Sequence, residues 1–163
     1  MVGSPWQTSA CLARDLAFLH EFRPEMVGIG PFIPHEATVF AGFPSGSVDR
    51  TLVMLALVRL ILPDAMLPAT TALGTAVGDG RERGMLAGAN VVMPNLSPAD
   101  ARRKYSLYNK KITEGAEAAE HLDLLARRLA GIGYHIEFGR GDFSPSAAGA
   151  AAGTEKATGA SHV

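Results

Sequence analysis

Two adjacent hydroxyl groups, on Thr70 and Thr71, stand where this sequence is most suited to place a ligand. They close a short apolar run in the string MLPATTALG, and small residues follow. Consecutive side chains of a strand point to opposite faces, so at most one of the two hydroxyls points into a site at the strand's end. Such a hydroxyl, together with backbone amides, is suited to hold an anion or a carboxylate. The structural alternative is that β-branched threonines favour strand ends for conformational reasons.

A second candidate group combines two methionines, Met26 and Met93, with two tyrosines, Tyr105 and Tyr108. A soft thioether and an amphipathic aromatic ring both suit a pocket for a bulky, partly apolar ligand. The tyrosines are three positions apart, so one face of a helix can carry both. For the methionines alone, ordinary core packing is the simpler interpretation.

The remaining candidate motifs do not match known sites. Gly78, Gly80 and Gly84 miss the G-x-G-x-x-G spacing of dinucleotide-binding loops by one residue. The histidines show no metal-ligand spacing with cysteine or acidic residues, which argues against a zinc site. The residue order indicates no catalytic triad, and the nucleophile motif G-x-S-x-G is absent. No residue is therefore assigned as catalytic or as a metal ligand.

The composition restricts the class of protein. The chain has 163 residues, 47% hydrophobic and 19% charged, with a net charge of −1, which is typical of a globular protein and gives no general attraction to nucleic acid or anionic lipid. The longest apolar run, residues 52–62, contains Arg59 and is shorter than the about 20 residues that cross a bilayer. The single cysteine, Cys11, excludes an internal disulfide and favours a reducing compartment. We therefore expect a cytoplasmic protein without nucleic-acid or membrane partners.

The elements that must position these side chains alternate along the chain. Strands are predicted at residues 1–2, 25–30, 66–72 and 89–93, with a closing strand or extended segment at 134–138. Helices are predicted around residues 12–19, 48–62 and 81–87, from Ser97 onward, and at about 114–130. This alternation indicates βαβ units and a parallel sheet.

The predicted fold is α/β and corresponds to half of a TIM-type barrel, with about four parallel strands and flanking helices. A complete (β/α)8 barrel typically takes about 250 residues, and four units occupy roughly 140 here. A small doubly wound sheet is the competing fold. The first strand is cut short at Met1, which favours the half-barrel and suggests an incomplete reading frame. Residues 1–142 form the predicted half-barrel domain, and the Ala/Gly/Ser-rich residues 143–163 are predicted to be a disordered tail.

Four strings in register carry a family resemblance. VGIGPFIPH, LPATTALG, GANVVMPNLSP and YSLYNKK, in this order and spacing, resemble the HydE-type radical SAM maturases of FeFe hydrogenase. MVGSPWQT resembles the fifth strand and loop of that family, usually a variant of GLPGQT, with Trp6 in place of a usual glycine. The resemblance covers about residues 1–142 and includes the region shared with biotin and thiamine synthesis enzymes. It implies the carboxyl-terminal half of a (β/α)8 barrel.

The resemblance also implies cofactors, substrate and site residues. In the family a [4Fe-4S] cluster at the barrel mouth reduces S-adenosylmethionine to a 5′-deoxyadenosyl radical. The implied substrate is a cysteine-bound Fe(CO)₂CN precursor, delivered by another hydrogenase maturase. The substrate-cavity positions of the family are matched by Met26, Thr70, Thr71, Met93, Tyr105 and Tyr108, and the loop near the adenosyl end of the cofactor is matched by Pro31, Phe32 and Ile33. The threonine pair would then hold an anionic or carboxylate end of a ligand.

The sequence departs from the family at the cluster. The family binds its cluster through the three cysteines of a C-x₃-C-x₂-C loop, and cluster ligation requires thiolates. Cys11 is the only cysteine here, so the chain alone is predicted to be inactive and to need the missing amino-terminal half of the barrel as a partner. The alternative is a stand-alone half-barrel that acts as a binding or scaffold subunit without catalysis.

Overall fold

The structure is a computed structural model, and it describes residues 1–94 and 122–145. The helices in this part of the chain are α1 (Ser9–Phe22), α2 (Val48–Ile61), α3 (Thr71–Ala76), α4 (Gly80–Leu86) and α5 (Leu122–Ala130). The helices predicted at residues 48–62 and 81–87 are confirmed to within one residue at each end. No helix in the described ranges is long and apolar enough to cross a membrane.

The two longest helices begin at hydroxyl caps. The side chain of Thr8 accepts a hydrogen bond from the Cys11 backbone at the start of α1, and Ser47 accepts one from Arg50 at the start of α2. These bonds satisfy backbone N–H groups that have no partner within the helix. α1 ends at Arg23, which adopts a left-handed φ of 51°.

Four extended segments lie side by side in parallel, in the order of the chain. The bridges pair Val2 with Pro31, Met26 with Met66, Ile29 with Ala69, and Pro68 with Val91. Each is an isolated bridge, and no continuous strand forms among the described residues. Proline explains part of this pattern, since Pro31 and Pro68 have no N–H to extend the ladder.

The core lies between these segments and the helices. Along the second segment, Val27 and Ile29 belong to the core, while Met26 and Gly28 are exposed on the other face. Helix α2 contributes a stripe of buried side chains. The largest fully buried side chains include Leu55, Leu67, Leu73, Leu125 and Leu129. One face of the segments is therefore covered by helices, and the other carries the candidate site.

Helix α5 is attached to α4 by polar contacts. The guanidinium of Arg128 donates to both carboxylate oxygens of Glu82 and to the carbonyl of Gly78, and the Tyr134 hydroxyl donates to the carbonyl of Met85 at 3.3 Å. The first part of the helix predicted at 114–130 lies outside the described residues. The helix predicted from Ser97 and residues 146–163 of the predicted tail also lie outside them.

One prediction about extended structure is wrong. The run predicted as a strand over 66–72 ends earlier, because Thr70 is the N-cap residue of α3 and Thr71 is the first residue of that helix. Thr70 occupies the N-cap with an extended backbone and without a capping hydrogen bond from its side chain, and small residues follow it in the helix. Residues 134–138, predicted as a closing strand or extended segment, form no bridge within the part of the chain that the structure describes.

Candidate functional site

A groove of about 530 Å³ lies at the carboxyl ends of the second and third extended segments, and Met1 of the first segment also lines it. Its apolar wall comes from the loop after the second segment, and Thr70 lines it from the third. In parallel α/β folds the carboxyl ends of strands are where ligands bind. The groove is therefore the candidate site.

The groove brings together four of the residues singled out from the sequence. Pro31, Phe32 and Ile33, which match the loop near the adenosyl end of the family's cofactor, line it together with Thr70. Pro31 and Phe32 are buried and Ile33 is half-buried. This lining suits the apolar face of a planar ring better than a charged group.

The hydroxyl of Thr70 is already engaged by the neighbouring segment. Its Oγ1 donates to the carbonyl of Ile29 at 3.3 Å. Gly30 makes this contact possible, because a Cβ at that position would lie 2.8 Å from the hydroxyl oxygen. With its proton directed to Ile29, the hydroxyl offers a ligand its lone pairs. In this arrangement Thr70 accepts a hydrogen bond from a ligand donor and does not donate one to a carboxylate.

The other half of the threonine pair does not share this position. Thr71 is half-buried in the first turn of α3 and is not among the residues that line the groove. The expectation that the pair alternates across the end of a strand is wrong, because the chain turns into a helix at Thr71. Side-by-side hydroxyls in the sequence are thus separated by a change of backbone conformation.

The two methionines are exposed, and Met26 lies away from Thr70. Met26 pairs with Met66, four positions before Thr70, which corresponds to roughly 13 Å along an extended chain. The side chains of Met26 and Met93 are 44% and 54% exposed. Ordinary core packing therefore does not explain them. Tyr105 and Tyr108, the other members of the predicted substrate cavity, lie outside the described residues.

His35 also lines the groove, although no motif in the sequence identified it as a candidate site residue. Its Nδ1 accepts a hydrogen bond from the Ala37 backbone at 3.0 Å, so in the neutral ring the proton is on Nε2. The ring thus offers a donor at the groove. The one indication in the sequence is its position, because His35 ends the string VGIGPFIPH, which also contains Pro31 and Phe32.

Cys11 lies on α1, in the first turn, and not at the groove. The hydroxyl and the backbone of Thr8 form hydrogen bonds that lower the pKa of the Cys11 thiol below its ordinary value, and the nearby Arg14 guanidinium adds to this effect. Among the described residues, no group of three or more His, Cys, Asp or Glu side chains is placed to hold a metal ion.

Comparison with known proteins tests the family resemblance. The chain is 53% identical over 112 residues to the [FeFe] hydrogenase maturase subunit HydE of Thermotoga maritima, which covers 69% of this chain and 32% of the relative. The resemblance to HydE-type maturases is confirmed. The chain spans about a third of the length of the curated relatives that it matches.

Two relatives of lower identity also match this chain. Two 3-methylornithine synthases match, that of Methanosarcina acetivorans at 30% identity over 111 residues and that of Methanosarcina barkeri at 31% over 91 residues. These matches cover 68% and 56% of this chain, and 30% and 25% of the relatives. No family model matches the chain.

Proposed function

We propose that this chain supplies the substrate-cavity part of a HydE-type radical S-adenosylmethionine enzyme that matures FeFe hydrogenase. The 53% identity to HydE carries the proposal. The groove supports it, because the residues that match the family's adenosyl loop line it together with Thr70. The substrate, in this proposal, is the cysteine-bound iron–carbonyl–cyanide precursor, delivered by another maturase.

The fold in this proposal is the carboxyl-terminal half of a (β/α)8 barrel. Four parallel segments in chain order, with helices covering one face, are the arrangement that successive βαβ units produce. The proposed partner is the amino-terminal half of the barrel, which would cover the exposed face that carries Met26 and Gly28. A half-barrel that acts without catalysis is the outcome expected if no such partner binds.

The iron–sulfur cluster of the family does not fit the residues of this chain. A [4Fe-4S] cluster requires several thiolate ligands, and Cys11 is the only cysteine. The cluster ligands must therefore come from the proposed partner, and no step of the reaction is assigned to a cluster on this chain.

S-adenosylmethionine fits the groove better than the cluster does. Beside a reduced cluster it supplies a 5′-deoxyadenosyl radical. In the proposed site, Phe32 and Ile33 contact the adenosyl end, Thr70 accepts a hydrogen bond, and Nε2 of His35 donates one. The exposed residues Met26 and Met93 remain proposed contacts of the substrate cavity, together with Thr71, Tyr105 and Tyr108.

Co-expression with the amino-terminal half of Thermotoga maritima HydE tests this function. We expect a soluble complex with the brown colour of a [4Fe-4S] cluster, which cleaves S-adenosylmethionine to 5′-deoxyadenosine under reducing conditions. Substitution Ile33→Glu places a charge in the apolar wall and should lower this cleavage at least tenfold while the complex still forms. Val39→Glu, in the same loop at an exposed position, is the matched control and should have no effect.

Two outcomes would contradict the proposed function. The first is that the two halves do not associate and the chain instead forms a cooperatively folded homodimer, which would support the scaffold alternative. The second is an active complex in which Ile33→Glu and Val39→Glu behave alike. That result would show that the apolar wall of the groove does not take part in the reaction.

Replacing Gly30 by alanine tests the groove on its own. The added Cβ would lie 2.8 Å from Oγ1 of Thr70 and 3.3 Å from Cβ of Ala72, so the hydroxyl must leave the Ile29 carbonyl. We expect the affinity for S-adenosylmethionine, measured by isothermal titration calorimetry on the complex, to fall roughly tenfold. Gly42→Ala is the control, because a Cβ there has nothing within 4 Å and Gly42 does not line the groove. Equal losses in both variants would show that the position of Thr70 does not matter for binding.

A further inference from the structure

Trp6 occupies a backbone conformation that disfavours it. Its φ is +63°, in the left-handed region, where a residue with a Cβ is strained and glycine is not. The Gln7 backbone donates to the carbonyl of Ser4 at 3.1 Å, so residues 4–7 form a turn with Pro5 and Trp6 at its centre. Positive φ at the third position of such a turn is the type II pattern, which glycine normally fills.

The turn is held in place by the side chain of Gln7. Its Oε1 accepts a hydrogen bond from the Gly3 backbone at 2.7 Å, and its Nε2 donates to the carbonyl of Met1 at 3.0 Å. These bonds impose the conformation whichever residue stands at position 6. The backbone strain of a tryptophan at this position must therefore be offset by contacts that a glycine cannot make.

Those contacts cross to the loop after the second segment. The indole of Trp6 packs edge-on against Phe43, with ring centroids 5.3 Å apart, and against Phe40 at 6.5 Å. Phe40 in turn packs edge-on against Phe32 at 6.0 Å. Aromatic pairs at these distances and angles are attractive. The indole is nonetheless 79% exposed, so its role is contact with the loop rather than burial in the core.

In the part of the chain that the structure describes, the backbone hydrogen bonds of residues 35–43 are local to the loop. Thr38, Ala41 and Phe43 each donate their backbone N–H to a carbonyl three positions earlier in the loop, at 2.9 to 3.1 Å. These bonds shape the loop but do not attach it. Attachment comes at Gly46, whose N–H donates to the Phe32 carbonyl, and through the aromatic rings.

We propose that Trp6 is a positioning residue of the groove: its ring holds residues 35–43 against Phe32 and so keeps His35 and Phe40 in the groove wall. Both residues line the groove, whereas Trp6 does not. Trp6 therefore acts on a ligand only through the loop. The part of this inference that concerns a ligand rests on the proposed function, and the part that concerns the loop does not.

Substitution Trp6→Asn tests the inference on the full 163-residue chain. Asparagine accepts a left-handed φ without the additional backbone freedom of glycine, so the turn is kept and the aromatic contacts are lost. We expect hydrogen exchange at the amides of Thr38, Ala41 and Phe43 to accelerate about tenfold, with no decrease in thermal stability. Binding of S-adenosylmethionine, as the probe, should weaken about fivefold.

Two further variants separate positioning from general stability. Trp6→Phe keeps an aromatic ring and should restore most of the exchange protection. Phe138→Ala removes a ring that is equally exposed, at 79%, and should leave the loop unchanged. The inference fails if loop exchange in Trp6→Asn matches that of the unsubstituted chain, or if the acceleration extends through α2. If the unsubstituted chain and its complex bind no S-adenosylmethionine, the proposed function fails while loop exchange still decides the role of Trp6.

Discussion

Replacing Gly46 by alanine is expected to destabilise the fold by about 3 kcal/mol or more, because no side chain can move to relieve the clash. An added Cβ would lie 2.1 Å from the Val2 carbonyl oxygen and 2.9 Å from the Phe32 nitrogen. Both contacts are with backbone atoms. The backbone must therefore separate at the point where the first and second extended segments meet.

The hydrogen bonds at this point explain the size of the effect. Phe32 donates its N–H to the Val2 carbonyl at 2.8 Å, and Gly46 donates to the Phe32 carbonyl at 2.7 Å. Gly3, with a φ of +81°, also lies against Gly46. Displacing position 46 breaks both bonds and moves the groove wall at Phe32. Loss of stability and loss of ligand binding should therefore occur together.

Urea unfolding followed by the fluorescence of Trp6, the single tryptophan, measures this prediction. Gly42→Ala is the matched control, because it lies in the same loop and a Cβ there has nothing within 4 Å. We expect that control to remain within about 0.5 kcal/mol of the unsubstituted chain. A free energy of unfolding for Gly46→Ala that equals the control value would show that Gly46 does not pack against the backbone of Val2 and Phe32 in solution.

Local signals in the sequence account for the helices that were predicted. The run from residue 48 to 62 follows the capping residue Ser47 and is apolar from Leu52 to Leu62 except at Arg59, and the observed helix α2 differs by one residue at its end. Gly88, just after Ala87 at the end of α4, adopts a φ of +114°, which glycine accepts without strain. Capping and periodicity are encoded by neighbouring residues, so a single sequence is enough to find them.

The helix α3 and the groove depend on contacts between distant residues. Gly80 packs directly on the backbone of Leu73, where a Cβ would lie 2.1 Å from the carbonyl oxygen. This close packing of Gly80 on Leu73 accompanies a helix, rather than a loop, in the small residues after Thr70. No local sequence motif predicts the contact. The engagement of Thr70 by Ile29 has the same origin. The resemblance selected Pro31, Phe32, Ile33 and Thr70, but His35 became a candidate only when the loop was seen against the groove.

Substitution Arg59→Met is expected to reduce the free energy of unfolding by about 1–3 kcal/mol, because it leaves the backbone carbonyls of Pro63 and Gly88 without donors, whereas the Leu62 carbonyl keeps the Ala65 N–H. Arg59 Nε donates to the carbonyl of Gly88 at 2.8 Å, and Nη1 donates to that of Pro63 at 2.6 Å and that of Leu62 at 3.4 Å. The side chain thereby joins the end of α2 to the turn after α4. Burial lowers the pKa of Arg59, and the nearby Asp64 partly opposes this. The guanidinium nevertheless stays charged near neutral pH.

The size of this effect depends on the lack of other backbone donors for the carbonyls of Pro63 and Gly88 among the described residues. They lie at the ends of helices, where the last C=O groups have no partner within the helix, and the cation also favours the negative end of α2. Methionine keeps the apolar stem that packs near Gly88 and removes only the donors. Arg50→Met, on an exposed side chain of the same helix, is the control and should change stability by about 0.5 kcal/mol or less. Arg59→Lys should recover only part of the loss, since one ammonium cannot reach both ends of the contact. Equal urea midpoints for Arg59→Met and Arg50→Met would contradict the prediction and would mean that water satisfies these carbonyls.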